Sequence, residues 1–189
     1  NPAGTVNVLH KQTGRLYEGL HYIEDTGEAG DYWQRVTPAA NKTILSPGQP
    51  ASISLVEDGP LVTTFLCEIR MDVPVRVDRD KQARIEQTTT LKIESLITLR
   101  ATQPYLEFRT KVHNTAYDHR LRVCIPTNIE CDHSYAEGHF TVDKRAIERP
   151  RNDNGLRDAH MGTLPHQRFV DLSDGKAGLA VLNKNLLEY

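Results

Sequence analysis

Three stretches of the chain carry residues able to do chemistry. The first runs from Asn128 to Gly138 and packs Glu130, Cys131, Asp132, His133, Ser134 and Glu137 into one polar segment. The second is Glu24-Asp25-Thr26-Gly27-Glu28-Ala29-Gly30-Asp31-Tyr32-Trp33, with four carboxylates and two glycines in its first eight residues and the one tryptophan at its end. The third is Leu164-Pro165-His166-Gln167-Arg168-Phe169-Val170-Asp171, where His166 and Arg168 share a parity. Carboxylates, imidazoles and an aromatic side by side are what a hydroxyl-rich ligand needs, because carboxylates accept hydroxyl hydrogen bonds and a ring offers an apolar platform. In a regular strand Asp132 and His133 point to opposite faces and cannot act on one atom together. Asp132 as a turn or cap acceptor, and the His166–Arg168 segment as a charged strand edge, are the structural readings beside these. The acid-rich stretch also reads as a solvated loop. Asp25, Glu28 and Asp31 fall at intervals of three without an Asp-x-Asp-x-Asp-Gly core, so calcium is disfavoured.

Strands must position these segments. From Tyr105 to Val112, and again from Leu121 to Pro126, apolar residues take alternate places (Leu106, Phe108, Val112; Leu121, Val123, Ile125) with Glu107, Arg109, Lys111 and Arg122 between them. Period two marks half-buried antiparallel strands, and Asn114 to Asp118 reads as the loop of a hairpin. Upstream, Lys11-Gln12-Thr13-Gly14 is a hairpin turn between Thr5–Leu9 and a return strand, Leu16–Ile23, whose apolar residues fall on both parities. The acid-rich segment then follows as a loop. Further strands are expected at Ala51–Val56, at Leu61–Val77 with a break near Pro74, and at Arg84–Leu99. Asp143 to Pro165 shows no hydrophobic period and reads as a long polar loop. Gln167–Leu172 and Gly178–Leu182 close the chain as a hairpin turning on Asp174-Gly175. About ten strands, with no amphipathic helix beyond three turns, make an all-β antiparallel sandwich without an internal domain boundary.

Composition narrows function. The chain has 189 residues, a net charge of −2 and no basic run, which argues against nucleic acid and anionic membrane as partners. No stretch approaches the length of a transmembrane helix. The three cysteines, Cys67, Cys124 and Cys131, form no Cys-x-x-Cys pair, so a zinc knuckle and a disulfide framework are both poorly supported. Free thiols point to a reducing, cytoplasmic setting. There is no Gly-x-Ser-x-Gly, no phosphate loop and no His-Glu-x-x-His. No pair of acids is distinguished for glycoside hydrolysis. The opening Asn1-Pro2-Ala3 lacks a methionine, and the apolar run Ala177–Leu182 lies close to Tyr189, so the chain reads as part of a longer protein.

Four blocks, in consistent order and spanning nearly the whole chain, resemble the C-terminal β-domain of glycoside hydrolase family 38, the α-mannosidases. They are His21 to Tyr32, Asn114 to Val123, Pro126-Thr127-Asn128 with Asp132 to Gly138, and His166 to Gly175. The resemblance implies a single domain over residues 1–189, with a large antiparallel β-sandwich similar to that of galactose mutarotase. It implies a retaining exo-α-mannosidase of bacterial type acting on α-mannoside carbohydrate. The nucleophile, acid and zinc ligands would sit in the protein's own N-terminal catalytic domain, which these residues resemble nowhere. No catalytic residue, metal or cofactor is then expected within residues 1–189. Asp31, Tyr32, Trp33, Asp132, His133, His166 and Arg168 are the residues expected near the sugar pocket or the domain interface, with Gly30-Asp31-Tyr32 similar to the family segment that approaches the pocket. Two alternatives stand beside this: a free-standing carbohydrate-binding or structural β-sandwich, and a mutarotase-like epimerase using His113 or His166, against which the four blocks argue.

Overall fold

The computed structural model describes residues 1–31, 35–148, 163–184, 186 and 189. Among them there are fifteen strands and no helix, and every strand ladder is antiparallel. The chain forms two compact units, Asn1–Pro126 and Thr127–Tyr189.

The first unit contains β1 (Val6–His10), β2 (Arg15–Leu20), β3 (Tyr22–Gly27), β4 (Ile44–Leu45), β5 (Ala51–Asp58), β6 (Val62–Pro74), β7 (Val77–Asp78), β8 (Ala83–Arg84), β9 (Thr88–Arg100), β10 (Leu106–His113) and β11 (His119–Cys124). Its largest sheet has the order β10-β9-β6-β5 and a three-stranded one the order β11-β3-β4, with β1-β2 and β7-β8 as two-stranded pairs. The backbone of the unit is the pairing of β6 with β9, which runs unbroken from Val62↔Arg100 to Pro74↔Thr88. Alternation sets what each face does. Cys67, Ile69, Met71 and Val73 of β6 and Leu91 and Ile93 of β9 point one way and are buried, with Ile23 of β3 and Ala116 in the same core. Glu68, Arg70 and Asp72 point the other way. Burying a side chain such as Leu91 or Ile93 contributes about 1.5–3 kcal/mol, so this layer supplies much of the unit's stability.

Three expectations from the sequence are corrected in this unit. The return strand does not run unbroken from Leu16 to Ile23. His21 takes a left-handed φ of 63° and separates β2 from β3, which is why the apolar parity changed there. The acid-rich segment is not all loop, because Glu24 to Gly27 continue β3 and Asp25, Thr26 and Gly27 are buried. Nor do β10 and β11 form a hairpin: β10 pairs with β9 and β11 with β3, so Asn114–Asp118 carries the chain from one sheet to the other. That corner is held in place. Asn114 Oδ1 accepts from the Ala116 amide at 3.0 Å, the Tyr117 amide donates to Val75 O at 2.8 Å, and Ala116 enters the core. The β1–β2 turn forms as expected, with Gly14 at φ 70°.

The second unit is a four-stranded sheet in the order β13 (Val142–Ala146), β12 (His133–Glu137), β14 (Phe169–Ser173), β15 (Gly178–Leu182). Ser134 and Ala136 are buried on one face of β12. The closing hairpin turns on Asp174-Gly175 as expected: Gly175 has φ 82°, and the Asp174 carboxylate accepts from the amides of Lys176 and Ala177. β13 lies inside the stretch expected to be loop. It is an edge strand in which charged Asp143 and Arg145 take the half-buried places, so it carries no hydrophobic period. Residues 149–162 of that stretch lie outside the described residues.

Candidate functional site

In the first unit, β3 delivers the chain into the segment that carries Gly30 and Asp31. Glu28 closes this segment on itself. Its Oε1 accepts from the Gly30 amide at 2.9 Å and from the Val36 amide at 2.7 Å, bridging the two ends of the arc. The Ala29 amide also donates to Val36 O at 2.8 Å. Arg79, from the turn between β7 and β8, clamps the base from outside. It donates to Ala29 O at 2.9 Å, to Gly30 O at 3.3 Å and to the Asp118 carboxylate at 3.0 Å. The Asp118 carbonyl in turn accepts from the Glu28 amide at 2.9 Å. Asp31 stands exposed just past this base. Tyr32 and Trp33, the aromatic part of the expected site, lie outside the described residues.

Beneath the arc is a buried ionic cluster. Asp25 is fully buried, and its Oδ1 lies 2.5 Å from Arg84 Nη2 while its Oδ2 lies 2.9 Å from His119 Nδ1. The Asp25, Arg84 and His119 side chains are 0%, 1% and 5% exposed. Arg84 Nη1 also donates to Lys42 O at 2.9 Å. On the far side of the imidazole, His119 Nε2–H donates to Asn114 Oδ1 at 3.0 Å; that oxygen also accepts from the Ala116 amide, which fixes the orientation of the Asn114 amide. The cluster ties β3, β8, β11 and the Asn114–Asp118 corner together. Gly27 is part of the same packing: a Cβ there would meet Pro38 Cγ at 2.9 Å and Arg84 Cγ at 3.0 Å.

The remaining expected residues sit in the second unit and fall into two groups. Asp132 and His133 line one hollow of about 280 Å³, together with Cys131, Tyr135, Lys144 and Asp174. They share it because Asp132 precedes the first residue of β12, so strict alternation does not apply to the pair. His166 lines a second hollow of about 370 Å³ beside Glu137, Phe140, Asp143 and Arg145. Its Nε2 accepts from the Asn183 side-chain amide, whose Oδ1 is fixed by the Leu186 amide at 3.1 Å. The imidazole meets the Tyr189 ring edge-on at 5.3 Å. Arg168 stands at the rim and holds Glu137 through both guanidinium and backbone N–H donors.

Hydrogen bonds from Arg168 hold the Glu137 carboxyl below the usual carboxylate range, so it stays an ionised acceptor and not a general acid. Burial, reinforced by nearby Arg145, pushes the His166 imidazole down. With Nε2 already engaged by Asn183, it serves as a neutral structural acceptor. Among the described residues, no group of three or more His, Cys, Asp or Glu side chains is placed to hold a metal ion. The cysteines are all free thiols, and burial raises Cys67 and Cys124 away from the reactive range.

A family model described as the glycosyl hydrolases family 38 C-terminal domain matches residues 1–189, the entire chain. The chain belongs to this family. Its fold agrees with an α-mannosidase crystal structure from Enterococcus faecalis V583, with a TM-score of 0.90 and 23% identity, covering 100% of this chain and 22% of that one. A second crystal structure from Enterococcus faecalis, of a protein in glycosyl hydrolase family 38, agrees with a TM-score of 0.89 at 24% identity, covering 100% of this chain and 23% of that one. By sequence the chain is 27% identical over 202 residues to a protein of Halalkalibacterium halodurans (strain C-125) provisionally named mannosylglycerate hydrolase, covering 98% of this chain and 22% of that protein. The family 38 C-terminal domain described here thus spans about a fifth of the length of the relatives it matches. Its all-β sandwich architecture is the one the four sequence blocks implied. The residues the sequence reading missed are Asp25, Arg84 and His119. Asp25 and His119 lie inside two of those blocks, but the partner that makes them a cluster, Arg84, lies in a two-residue strand with no pattern of its own.

Proposed function

We propose that residues 1–189 serve as the C-terminal β-domain of a retaining α-mannosidase of bacterial type, both compact units belonging to that one domain. In this reading the domain supports the protein's own catalytic domain and lends the Asp31–Trp33 arc to the rim of a sugar pocket for terminal α-mannosides. Asp31, Tyr32, Trp33, Asp132, His133, His166 and Arg168 lie near that pocket or the domain interface. The observation that carries the reading is the triple anchoring of the arc by Glu28, Arg79 and Asp118. A solvated loop needs no such support, whereas a loop that must present side chains to a ligand does. Zinc, which the family resemblance places in the catalytic domain, does not fit the described residues, which bring no three His, Cys, Asp or Glu side chains together to hold it. The three free cysteines support a cytoplasmic setting.

The Halalkalibacterium relative favours a particular version of this activity, in which the group leaving the mannosyl unit is an acid, glycerate. Comparing mannosylglycerate with uncharged α-mannosides separates the two versions. The test of the supporting role is Arg79→Ala in the whole polypeptide encoded by the gene. Loosening the arc raises KM for the mannoside severalfold while zinc content stays the same. An unchanged KM would remove the arc from the pocket.

A further inference from the structure

The hollow beside the turn between β12 and β13 is lined by hydrogen-bonding groups of both senses and by an aromatic ring. Its volume of about 370 Å³ stands at the lower end of small-molecule sites, roughly 300–1,000 Å³. Its acceptors are Glu137 and Asp143. Arg168 Nε lies 2.9 Å from Glu137 Oε2, and Arg145 Nη2 lies 2.6 Å from Asp143 Oδ2. Arg145 Nη1 also donates to Pro165 O at 2.5 Å, so both guanidiniums are committed to neighbours. A carboxylate accepts about four hydrogen bonds, which leaves each of these lone pairs for a ligand. The donor is His166, which is 5% exposed. Its Nε2 accepts from the Asn183 amide, which puts the imidazole proton on Nδ1. That Nδ1 is buried and meets no hydrogen-bond partner among the described residues. A buried donor left unpaired costs about 1–3 kcal/mol, so in a native fold it calls for a partner. The apolar element is Phe140, fully exposed in the turn. The Gly138 amide closes that turn by donating to Thr141 O at 2.8 Å. Gly138 also leaves room for the Asp143 carboxylate, since a Cβ there would meet Oδ2 at 2.9 Å.

We propose that this hollow binds one uncharged hexopyranose ring, with Phe140 against its C–H face and Glu137, Asp143 and His166 on its hydroxyls. A hydroxyl both donates and accepts, so a single class of ligand satisfies two carboxylates and an N–H in the same hollow. An anion does not, because it would face two ionised carboxylates whose guanidinium partners are already engaged. An apolar ligand would leave the carboxylates and the imidazole N–H unpaired. A metal ion is disfavoured too, since no third ligand joins the two carboxylates among the described residues. The flat ring of Phe140, on a turn closed by its own backbone, is in place before a ligand arrives, and its face suits the C–H face of a pyranose. Every lining group comes from the second unit, so the site asks nothing of Asn1–Pro126. The inference rests on the proposed function for the choice of a sugar ring over another polyol, and on the hollow itself for the residues.

Photoaffinity labelling of the whole polypeptide encoded by the gene tests it. The probe is an α-mannopyranoside carrying a diazirine, and the labelled positions are located by mass spectrometry. Label falls within residues 137–145, and excess methyl α-mannopyranoside competes it away. Glycerate, inorganic phosphate and open-chain sorbitol do not. Phe140→Ala lowers labelling there severalfold, and Phe140→Trp, which keeps a platform, restores it. Label that misses residues 137–145, resists the methyl mannoside or survives Phe140→Ala undiminished overturns the proposal. So does displacement by glycerate or phosphate, which would make an anion the occupant, or by sorbitol, which would dispense with the ring. Phe140 faces water, so its replacement leaves the thermal midpoint in place. Should the variant nonetheless fail to fold, labelling and competition in the unsubstituted protein still decide. Labelling at residues 137–145 without cleavage of any mannoside sinks the mannosidase reading and leaves this one standing; cleavage without that labelling does the reverse.

Discussion

Asp25 is a carboxylate with no access to water, with the Arg84 guanidinium and the His119 imidazole against it. A buried pair stripped of one member leaves an uncompensated charge, which costs about 3–5 kcal/mol. Asp25→Asn is therefore expected to lower the urea unfolding free energy of the chain by about that amount. A loss near zero would mean that Arg84 is solvated after all. By contrast, Arg168→Ala at the exposed rim is expected to leave the unfolding midpoint in place while releasing Glu137. His21 gives a pH signature. Burial pushes its imidazole down from the ordinary value, against a backbone hydrogen bond that raises it, and Thr110 Oγ1 lies 3.2 Å from Nε2. The folded state then binds fewer protons than the unfolded one. Its contribution is complete above about pH 6.5, the ordinary imidazole value, and is lost as pH falls through the lowered one. His21→Asn, which tolerates the left-handed φ, is expected to flatten the fall in stability on the acid side; an unchanged slope would exclude His21 as its source. The chemistry of Asp25 was hidden in the sequence because an acid beside Glu24 and Glu28 looks like one member of a solvated cluster. Only the fold reveals that its neighbour in space is Arg84.

The elements explain why some local readings succeeded and others did not. The β1–β2 and β14–β15 turns were legible because Gly14 and Gly175 sit where a turn needs a left-handed residue. The Asn114–Asp118 corner was misread as a hairpin because alternation on both sides fits two paired strands as well as two strands in different sheets. What decides is Ala116 dropping into the core, a long-range contact with no local signal. Gly27 illustrates the same point: its φ lies outside the left-handed region, and its need for a missing side chain comes from Pro38 and Arg84 pressing on it. Gly27→Ala overpacks that site and is expected to cost about 1–3 kcal/mol by urea denaturation. An unaffected midpoint would mean Pro38 and Arg84 give way freely. The arc from Glu28 to Val36 makes a kinetic prediction. Arg79→Ala is expected to speed amide hydrogen exchange at Ala29, Gly30 and Val36 while leaving the amides of β6 and β9 as slow as before. Equal rates at the arc would assign its order to Glu28 alone.

For the molecule as a whole, alternation was enough to anticipate an antiparallel all-β fold, and the four residue blocks were enough to place it in family 38. Alternation could not reveal how far a second layer extends. Phe65, Cys67, Ile69, Met71 and Val73 read identically along β6, yet Phe65 is exposed and Met71 is fully buried. The expected site was only partly legible for a related reason. Polar residues at strand ends announce a site, but His166 lines one hollow while Asp132 and His133 line another together, which strict alternation had set on opposite faces. The described residues hold Glu137 as an ionised carboxylate held by Arg168 and His166 as a buried imidazole engaged by Asn183, which suit binding and support. The most direct test of that claim is turnover of an aryl α-mannoside, with zinc supplied, by residues 1–189 alone and by the whole polypeptide encoded by the gene. The account predicts hydrolysis by the whole polypeptide and none by residues 1–189. Zinc-dependent turnover by pure residues 1–189 would contradict it.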